Sequence, residues 1–349
     1  MKKLNLILII VALAAALTAC APKATPEPTA VPVVEEKPVK EPATGSINLY
    51  TSEPEDKINE MVADFNKLYP NVTVNVFRSG SGEVIAKIQA EKQAGKIQAD
   101  IIWFADIDFF NNLAEEDLMM VYRPEGSDVV EGIYHYNGDR YQEVRLIFNV
   151  VAYNTTAITT PPTSWKDLLK SEYAGKVGMP SALYSGAAFN QVGTLFNMAE
   201  FGIKFYEDLN ANKVIVERGN GAVQTKLASG EFIIGQIVDF MARDVKNAGS
   251  PVDHVWPAEG ALLVPTPIGI INGTANPGGA KAFMDYMYTE SAQNLFVKQG
   301  YISILKGIAP PKGAPDMSKF KVLMPDLTYI SANRDKIRSE FERLFGAPQ

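Results

Sequence analysis

Between Ile47 and Asp106 the hydrophobic residues alternate between two periods, and this limits the fold more than any other feature of the chain. Ile47-Asn48-Leu49-Tyr50 reads as a short strand. Ile58, Met61, Val62, Phe65 and Leu68 then recur at the three- and four-residue spacing of one helix face. Val72, Val74 and Val76 alternate as a second strand does. The turn Ser79-Gly80-Ser81-Gly82 leads into a helix carrying Val84, Ile85 and Ile88. Asp100 opens a fully apolar strand, Ile101-Ile102-Trp103-Phe104, and Asp106 follows it. A strand apolar at every residue has both faces covered, so this order predicts an α/β fold with a parallel sheet between two layers of helices.

In such sheets ligands bind beyond the carboxyl ends of the strands. Three loops occupy that edge: Thr51-Ser52-Glu53, residues 78–82 and Ala105-Asp106. The first two run into helix starts, where unpaired N–H groups and the helix dipole favour an anion. Each also has an explanation that needs no ligand. Ser52 and Glu55 fit the S-x-x-E capping box, and residues 79–82 fit a flexible, capped turn.

A second unit follows. Residues 145–153 read as an apolar strand, and Ser164 to Asp167 cap a helix carrying Leu168 and Leu169. Residues 176–179 form a short strand, Ser185-Gly186-Ala187 opens a helix, and residues 214–216 and 232–238 are further strands. Residues 261–271 are strand-like throughout. One helix is expected over 279–298 and an amphipathic one over 333–345, the latter with Ile337, Phe341 and Leu344. No internal repeat is present.

The chain of 349 residues has a length suited to about two domains. Its formal charge of −7 argues against a nucleic-acid partner, which needs a basic face. Cys20 is the only cysteine, so neither an intrachain disulfide nor a cysteine zinc site can form, and His135 and His254 alone make no metal loop. No G-x-S-x-G, H-E-x-x-H or G-x-x-x-x-G-K-[ST] occurs, so no catalytic residue, metal site or cofactor is assigned. A hydrolase working through paired carboxylates is the alternative from another class, and a purely structural surface lipoprotein is a third.

Lys2 and Lys3 precede an apolar run over 6–17, shorter than the roughly 20 residues a membrane span needs. Residues 1–19 therefore read as a secretory signal peptide. Leu17-Thr18-Ala19-Cys20 resembles the bacterial lipobox, which implies lipidation of Cys20 as the mature N-terminus; the alternative is a plain signal with a chance cysteine. Residues 22–45 carry six of the 22 prolines and no aromatic residue, so 20–45 read as the lipidated cysteine and a disordered tether. The protein is expected outside the cell, anchored by lipid at the outer face of the cytoplasmic membrane or in the periplasm.

The order of segments over about 46–310 resembles the family 1 extracellular solute-binding proteins of bacterial ABC importers, in the branch of ferric-iron, phosphonate and sugar-phosphate binders. The stretches that carry it are LYTSEPE (49–55), GEVIAKIQAE (82–91), ADIIWFAD (99–106) and PTSWKDLL (162–169) with Tyr173-Ala174-Gly175-Lys176. Ser229-Gly230-Glu231 before the strand ending at Asp239, and Asn276-Pro277 before Ala280-Lys281, also fit. The resemblance implies the two-lobed type II periplasmic-binding-protein fold, with a hinge and an interlobe ligand cleft. Lobe one is expected at 46–147 plus 266–310, and lobe two at 148–265 plus 311–349. It also implies a small-molecule solute and the transmembrane permease subunits of an importer as partners, with a monomer as the working form.

The ferric-binding members use adjacent tyrosines helped by a histidine and a carboxylate. Carried onto this chain, the tyrosine pair falls at Phe240-Met241, the histidine near Pro54 and the carboxylate at Asp106. Neither Phe240 nor Met241 offers an anionic oxygen, so an oxyanion-bearing solute such as a phosphonate or sugar phosphate is expected, with ferric iron as the alternative. The candidate contacts are Thr51, the donors Ser52, Ser79, Ser81 and Ser185, their neighbours Gly82, Gly186 and Ala187, and Arg78 or Arg145 as a bidentate partner. Each arginine has a surface ion pair as its other explanation. Asp106 and Asp239 would hold an amine or sugar hydroxyls, and a polyamine would use only that acidic and aromatic part. Trp103 and Phe104 are core or a stacking platform, and Tyr184 and Tyr301 pack or donate hydrogen bonds. One acyl chain gives only marginal membrane binding, so the anchor depends on the fully modified cysteine. Cys20→Ser should move the protein from the membrane to the soluble fraction with its melting temperature unchanged; complete sedimentation with membranes would contradict the anchor.

Overall fold

The structure is a computed structural model and describes residues 43–346. The signal segment, Cys20 and most of the tether lie outside the described residues. Gly45 already pairs with Val72, so the ordered body starts before Ser46.

The chain opens with β1 (Gly45–Thr51), α1 (Glu55–Leu68), β2 (Val72–Arg78), α2 (Ser81–Gln93), β3 (Ile101–Trp103) and α3 (Ile107–Glu115). Three short strands follow, β4 (His135–Tyr136), β5 (Tyr141–Gln142) and β6 (Arg145–Leu146), and then the long β7 (Phe148–Asn154). The middle of the chain holds β8 (Val177–Pro180), α4 (Gly186–Asn197), α5 (Gly202–Ala211), β9 (Ile215–Glu217), α6 (Asn220–Ser229), β10 (Ile234–Val238), α7 (Asp239–Asn247), β11 (Val252–Val255) and β12 (Ala261–Leu263). β13 (Ile268–Ile270), α8 (Pro277–Tyr286), α9 (Glu290–Lys298), β14 (Ile302–Ser303), β15 (Val322–Leu323), α10 (Leu327–Ala332) and α11 (Arg334–Phe345) complete it.

Two larger sheets organise these elements. The first has the order β2-β1-β3-β13-β5-β4, with β1 between parallel neighbours and β13 antiparallel to β3. The second has the order β15-β12-β7-β10-β8-β9, with β11 also on β7. Every residue of β3 and β7 is buried: β3 is apolar throughout, and the two asparagines of β7 donate to the Ala187 carbonyl at 2.9 Å (Asn149) and the Leu227 carbonyl at 3.4 Å (Asn154). α1 turns Ile58, Met61 and Phe65 onto the first sheet. α11 places Ile337 and Phe341 in the core beside α4 and α5.

Three expected elements are interrupted. The strand at 145–153 divides after Leu146, which leaves to pair with Ile302 of β14. The strand at 261–271 is two strands in different sheets, β12 and β13, because Pro265 and Pro267 have no N–H with which to continue a ladder. The helix at 279–298 breaks at Met287, and Thr289 caps α9 by accepting from the Ala292 N–H at 3.2 Å. The segment after Ser164 is a short 3-10 helix, Trp165–Leu169, closed by a capping box between Ser164 and Asp167.

The chain passes between the sheets at residues 143–147, at 264–267 and again between Ser303 and Val322. The first two passages are bonded to each other. Both carboxyl oxygens of Glu143 lie 3.0 Å from the Thr266 N–H, which donates to them. Burial pushes the Glu143 carboxyl up to about 8, against the Thr266 hydrogen bonds and the Arg145 charge, which pull it down. The folded state therefore keeps a proton that the unfolded chain releases near 4.5. Its contribution to stability is complete below that pH and is lost as the pH rises through about 8. Urea midpoints at pH 6 and pH 8.5 should fall less in Glu143→Gln than in the unchanged chain; an equal fall in both contradicts a buried neutral Glu143.

Candidate functional site

At the end of β1 the side chain of Thr51 turns inward. Its hydroxyl donates to the Trp103 carbonyl at 2.8 Å and accepts from the Glu53 N–H at 3.1 Å. Glu53 and Ser52 are thereby turned toward the gap between the sheets. The expected Ser52–Glu55 capping box is absent: Pro54 is the cap and Glu55 the first helical residue, so the spacing is right but the register is not. β2 likewise delivers Arg78 and Ser79 to the same edge, and Gly80 and Ser81 start α2 there.

The second sheet faces these loops with three helix starts. Ser185 caps α4, Gly219 precedes Asn220 at the start of α6, and Val238 precedes α7. The two sets enclose a pocket of about 410 Å³. Of the residues expected from sequence, Ser52, Arg78, Ser79, Ser81, Arg145, Ser185, Gly186 and Ala187 line it. Tyr184, Phe240 and Met241 line it too.

Thr51, Gly82, Asp106 and Asp239 do not line the pocket, and each has a physical reason. Thr51 is spent on β3. Gly82 backs onto Leu183 and Tyr184, where a Cβ would lie 3.1 Å from the Leu183 carbonyl oxygen. Asp106 caps α3 through the Phe109 N–H at 3.1 Å, and both its oxygens take Arg334, at 2.9 and 2.6 Å. Asp239 is buried, accepts from the Phe148 N–H at 2.8 Å and pairs with Arg243. Neither acid is free for an amine or a sugar hydroxyl. Trp103 and Phe104 are core, and the Trp103 indole donates to the Thr266 carbonyl at 3.1 Å.

The two arginines also differ from a surface ion pair. Arg145 is fully buried, paired with Glu53 and covered by the Tyr301 ring at 3.9 Å. Arg78 is exposed and donates through Nε to the Glu53 carbonyl at 2.9 Å. Glu53, from the loop expected at this edge, also lines the pocket, and the site contains residues that the sequence did not announce: Arg218, Asn220 and the small residues Gly219, Gly221 and Ala222 around it. Arg218 pairs with Glu83 across the pocket and lies over the Tyr184 ring at 4.7 Å. The one available signal was a glycine-flanked asparagine beside an arginine, Arg218-Gly219-Asn220-Gly221.

The helix starts are not equivalent. α1 has Glu55 and Asp56 in its first turn, which already answer its dipole. α2 has Glu83, which meets Arg218, and α7 has the inward-turned Asp239. α4 and α6 have no acid in the first turn. Their first N–H groups have no partner within the helix, and their small leading residues let a ligand approach the backbone. The Ser52, Ser79 and Ser81 hydroxyls make no hydrogen bond to the described residues. Across from α4 the lobes nearly touch: a Cβ on Gly186 would lie 1.7 Å from the Ala105 carbonyl oxygen. Among the described residues no group of three or more His, Cys, Asp or Glu side chains is placed to hold a metal, and no helix is long and apolar enough to cross a membrane.

Over residues 60–322 the sequence matches the bacterial extracellular solute-binding proteins. The chain belongs to this family. It is an exported solute-binding protein of the ABC-importer class, and its two sheets are the cores of the two lobes. A solute-binding protein of similar fold is AfuA from Actinobacillus pleuropneumoniae, solved with exogenous fructose-6-phosphate bound. That likeness has a TM-score of 0.78 at 22% identity and covers 86% of this chain and 98% of that one. Iron-bound HitA from Pseudomonas aeruginosa is also similar, with a TM-score of 0.74 at 17% identity over 85% of this chain and 99% of that one. At these identities the likeness is one of fold. A Salmonella paratyphi A periplasmic protein named for 2-aminoethylphosphonate binding is 23% identical over 232 residues, 64% of this chain and 66% of that one. The relatives named for a function are thus binding proteins.

Proposed function

We propose that this solute-binding protein captures a small solute bearing an oxyanion, such as a phosphonate or a sugar phosphate, by closing its lobes and handing it to a membrane permease. The observation that carries the proposal is the pair of helix starts, α4 and α6, that open into the pocket with no acidic residue in their first turns. Each such start favours an anion by roughly 0.3–1 kcal/mol, and a hydrogen bond to a charged group adds roughly 1.5–3 kcal/mol. Arg78 and Arg218 supply exposed cations at the rim. The names of AfuA's bound ligand and of the Salmonella relative point to the same chemistry.

In this proposal the lobes are 46–147 plus 266–310 and 148–265 plus 311–349, and they rotate about the passages between the sheets. The protein works as a monomer, anchored through lipid on Cys20, and turns over no substrate. Ferric iron is the competing ligand, favoured by the likeness to HitA. Against it, Phe240 and Met241 face the pocket without an anionic oxygen. The Tyr301 phenol donates to Glu53 at 3.1 Å, and burial, with the Glu53 charge, raises its pKa well above the ordinary value.

Fructose-6-phosphate and 2-aminoethylphosphonate are the first probes. A ligand at a hundred times its Kd stabilises by about 2.7 kcal/mol, so the one that binds should raise the melting temperature by several degrees. It should also lower the radius of gyration in small-angle scattering. Ferric citrate should give no visible tyrosinate-to-iron band. Such a band with stoichiometric iron uptake would overturn the proposal.

A further inference from the structure

Four hydrogen-bonding groups at the junction of α4, α6 and α7 have their donor and acceptor roles determined by elimination. The Val238 N–H can only donate, and its partner is Asn220 Oδ1 at 3.3 Å. This fixes which way the Asn220 amide faces, an orientation that is otherwise ambiguous. Its Nδ2 therefore faces Ser185 Oγ at 3.2 Å and, having no acceptor capacity, donates to it. The Ala188 N–H donates to the same oxygen at 3.3 Å, as expected of a helix cap. A serine hydroxyl has two acceptor positions and one proton. Both acceptor positions are filled, and the proton has no acceptor among the described residues. Ser185 is half-buried and lines the pocket, so the proton is directed into the pocket.

We propose that Asn220 is a positioning residue that commits the Ser185 hydroxyl to donate to the solute. The inference rests on reading the pocket as an oxyanion site, and it explains how that site discriminates. At this corner an unprotonated solute oxygen is fully satisfied, a solute hydroxyl can only accept and leaves its own proton unpaired, and an ammonium, which has nothing but donors, finds no acceptor. The hydroxyls of Ser52, Ser79 and Ser81 have no hydrogen-bond partner among the described residues and remain free to turn, so they discriminate less. Asn220 also joins three helix starts, because it begins α6, holds the cap of α4 and binds the residue before α7. A loss caused only by loosening those helices would add to a loss at Ser185. A loss acting through the hydroxyl would not.

The test is calorimetric titration of the full chain, Ser185→Ala, Asn220→Ala and the double variant with fructose-6-phosphate and with 2-aminoethylphosphonate. Each single substitution should weaken the probe that binds by about tenfold or more, and the double variant should be no weaker than the weaker single within about twofold. Asn220→Asp serves where Asn220→Ala does not fold. Its carboxylate still accepts from the Val238 N–H but takes the Ser185 proton, so adding Ser185→Ala should cause no further loss. Losses that multiply in the double variants, or an Asn220→Ala chain that binds normally, overturn the inference alone. Binding of neither probe by the unchanged chain overturns the oxyanion reading, and the inference falls with it.

Discussion

A buried guanidinium at the junction of the two sheets is the constraint on which the rest depends. Removing a charge from water costs several kcal/mol unless close partners replace the lost solvation. Arg145 lies on the first passage between the lobes, and its partners come from four other parts of the chain. Glu53 comes from the β1–α1 turn, and Trp103 from β3 with its ring 5.0 Å away. Thr266 comes from the second passage, with Oγ1 at 3.5 Å, and Tyr301 from the segment after α9. Satisfying this one charge draws both passages and the first turn to the same point. That point is the floor of the pocket.

The pairing has a consequence for binding. Because Arg145 is neutralised by Glu53, the floor contributes little net charge, and affinity for an anion must come from the walls. Those are the starts of α4 and α6 and the cations at the rim. Arg218 is held mainly by an exposed contact to Glu83, and exposed ion pairs contribute little. It can turn to a solute at small cost. Arg334 behaves differently. Burial opposes its charge, yet Asp106 and Asp108 outweigh that and raise its pKa, so it is a fixed tie from α11 to the first lobe. Lys57 and Asp244 make a similar tie at 2.9 Å between α1 and α7.

The first lobe was legible because its periods are clean: β1, α1, β2, α2 and β3 each show one apolar face or an unbroken apolar run. The convergence of Ser52, Ser79 and Ser81 followed from parallel strands, whose carboxyl ends share one edge. α6 was not legible, because only Val223 and Leu227 of its residues are buried. With it the Arg218–Ala222 wall of the site stayed hidden. Asp106 and Asp239 misled for another reason. An acid at a strand end looks the same whether it faces a ligand or an arginine, and Arg334, the partner of Asp106, lies 228 residues further along. The S-x-x-E spacing of Ser52 and Glu55 fitted a cap whose register Pro54 had already taken. Residues 261–271 read as one strand because their apolar character masked the break that Pro265 and Pro267 impose.

In the proposed oxyanion site, backbone N–H groups at the starts of α4 and α6 hold the charged end of the solute. Amide proton and nitrogen shifts, followed by transverse-relaxation-optimised NMR during titration with fructose-6-phosphate or 2-aminoethylphosphonate, test it most directly. The amide protons of Gly186, Ala187, Asn220 and Gly221 should move downfield together and saturate at one equivalent. Saturable binding that leaves those four amides in place, with shifts confined to other parts of the pocket, would contradict it.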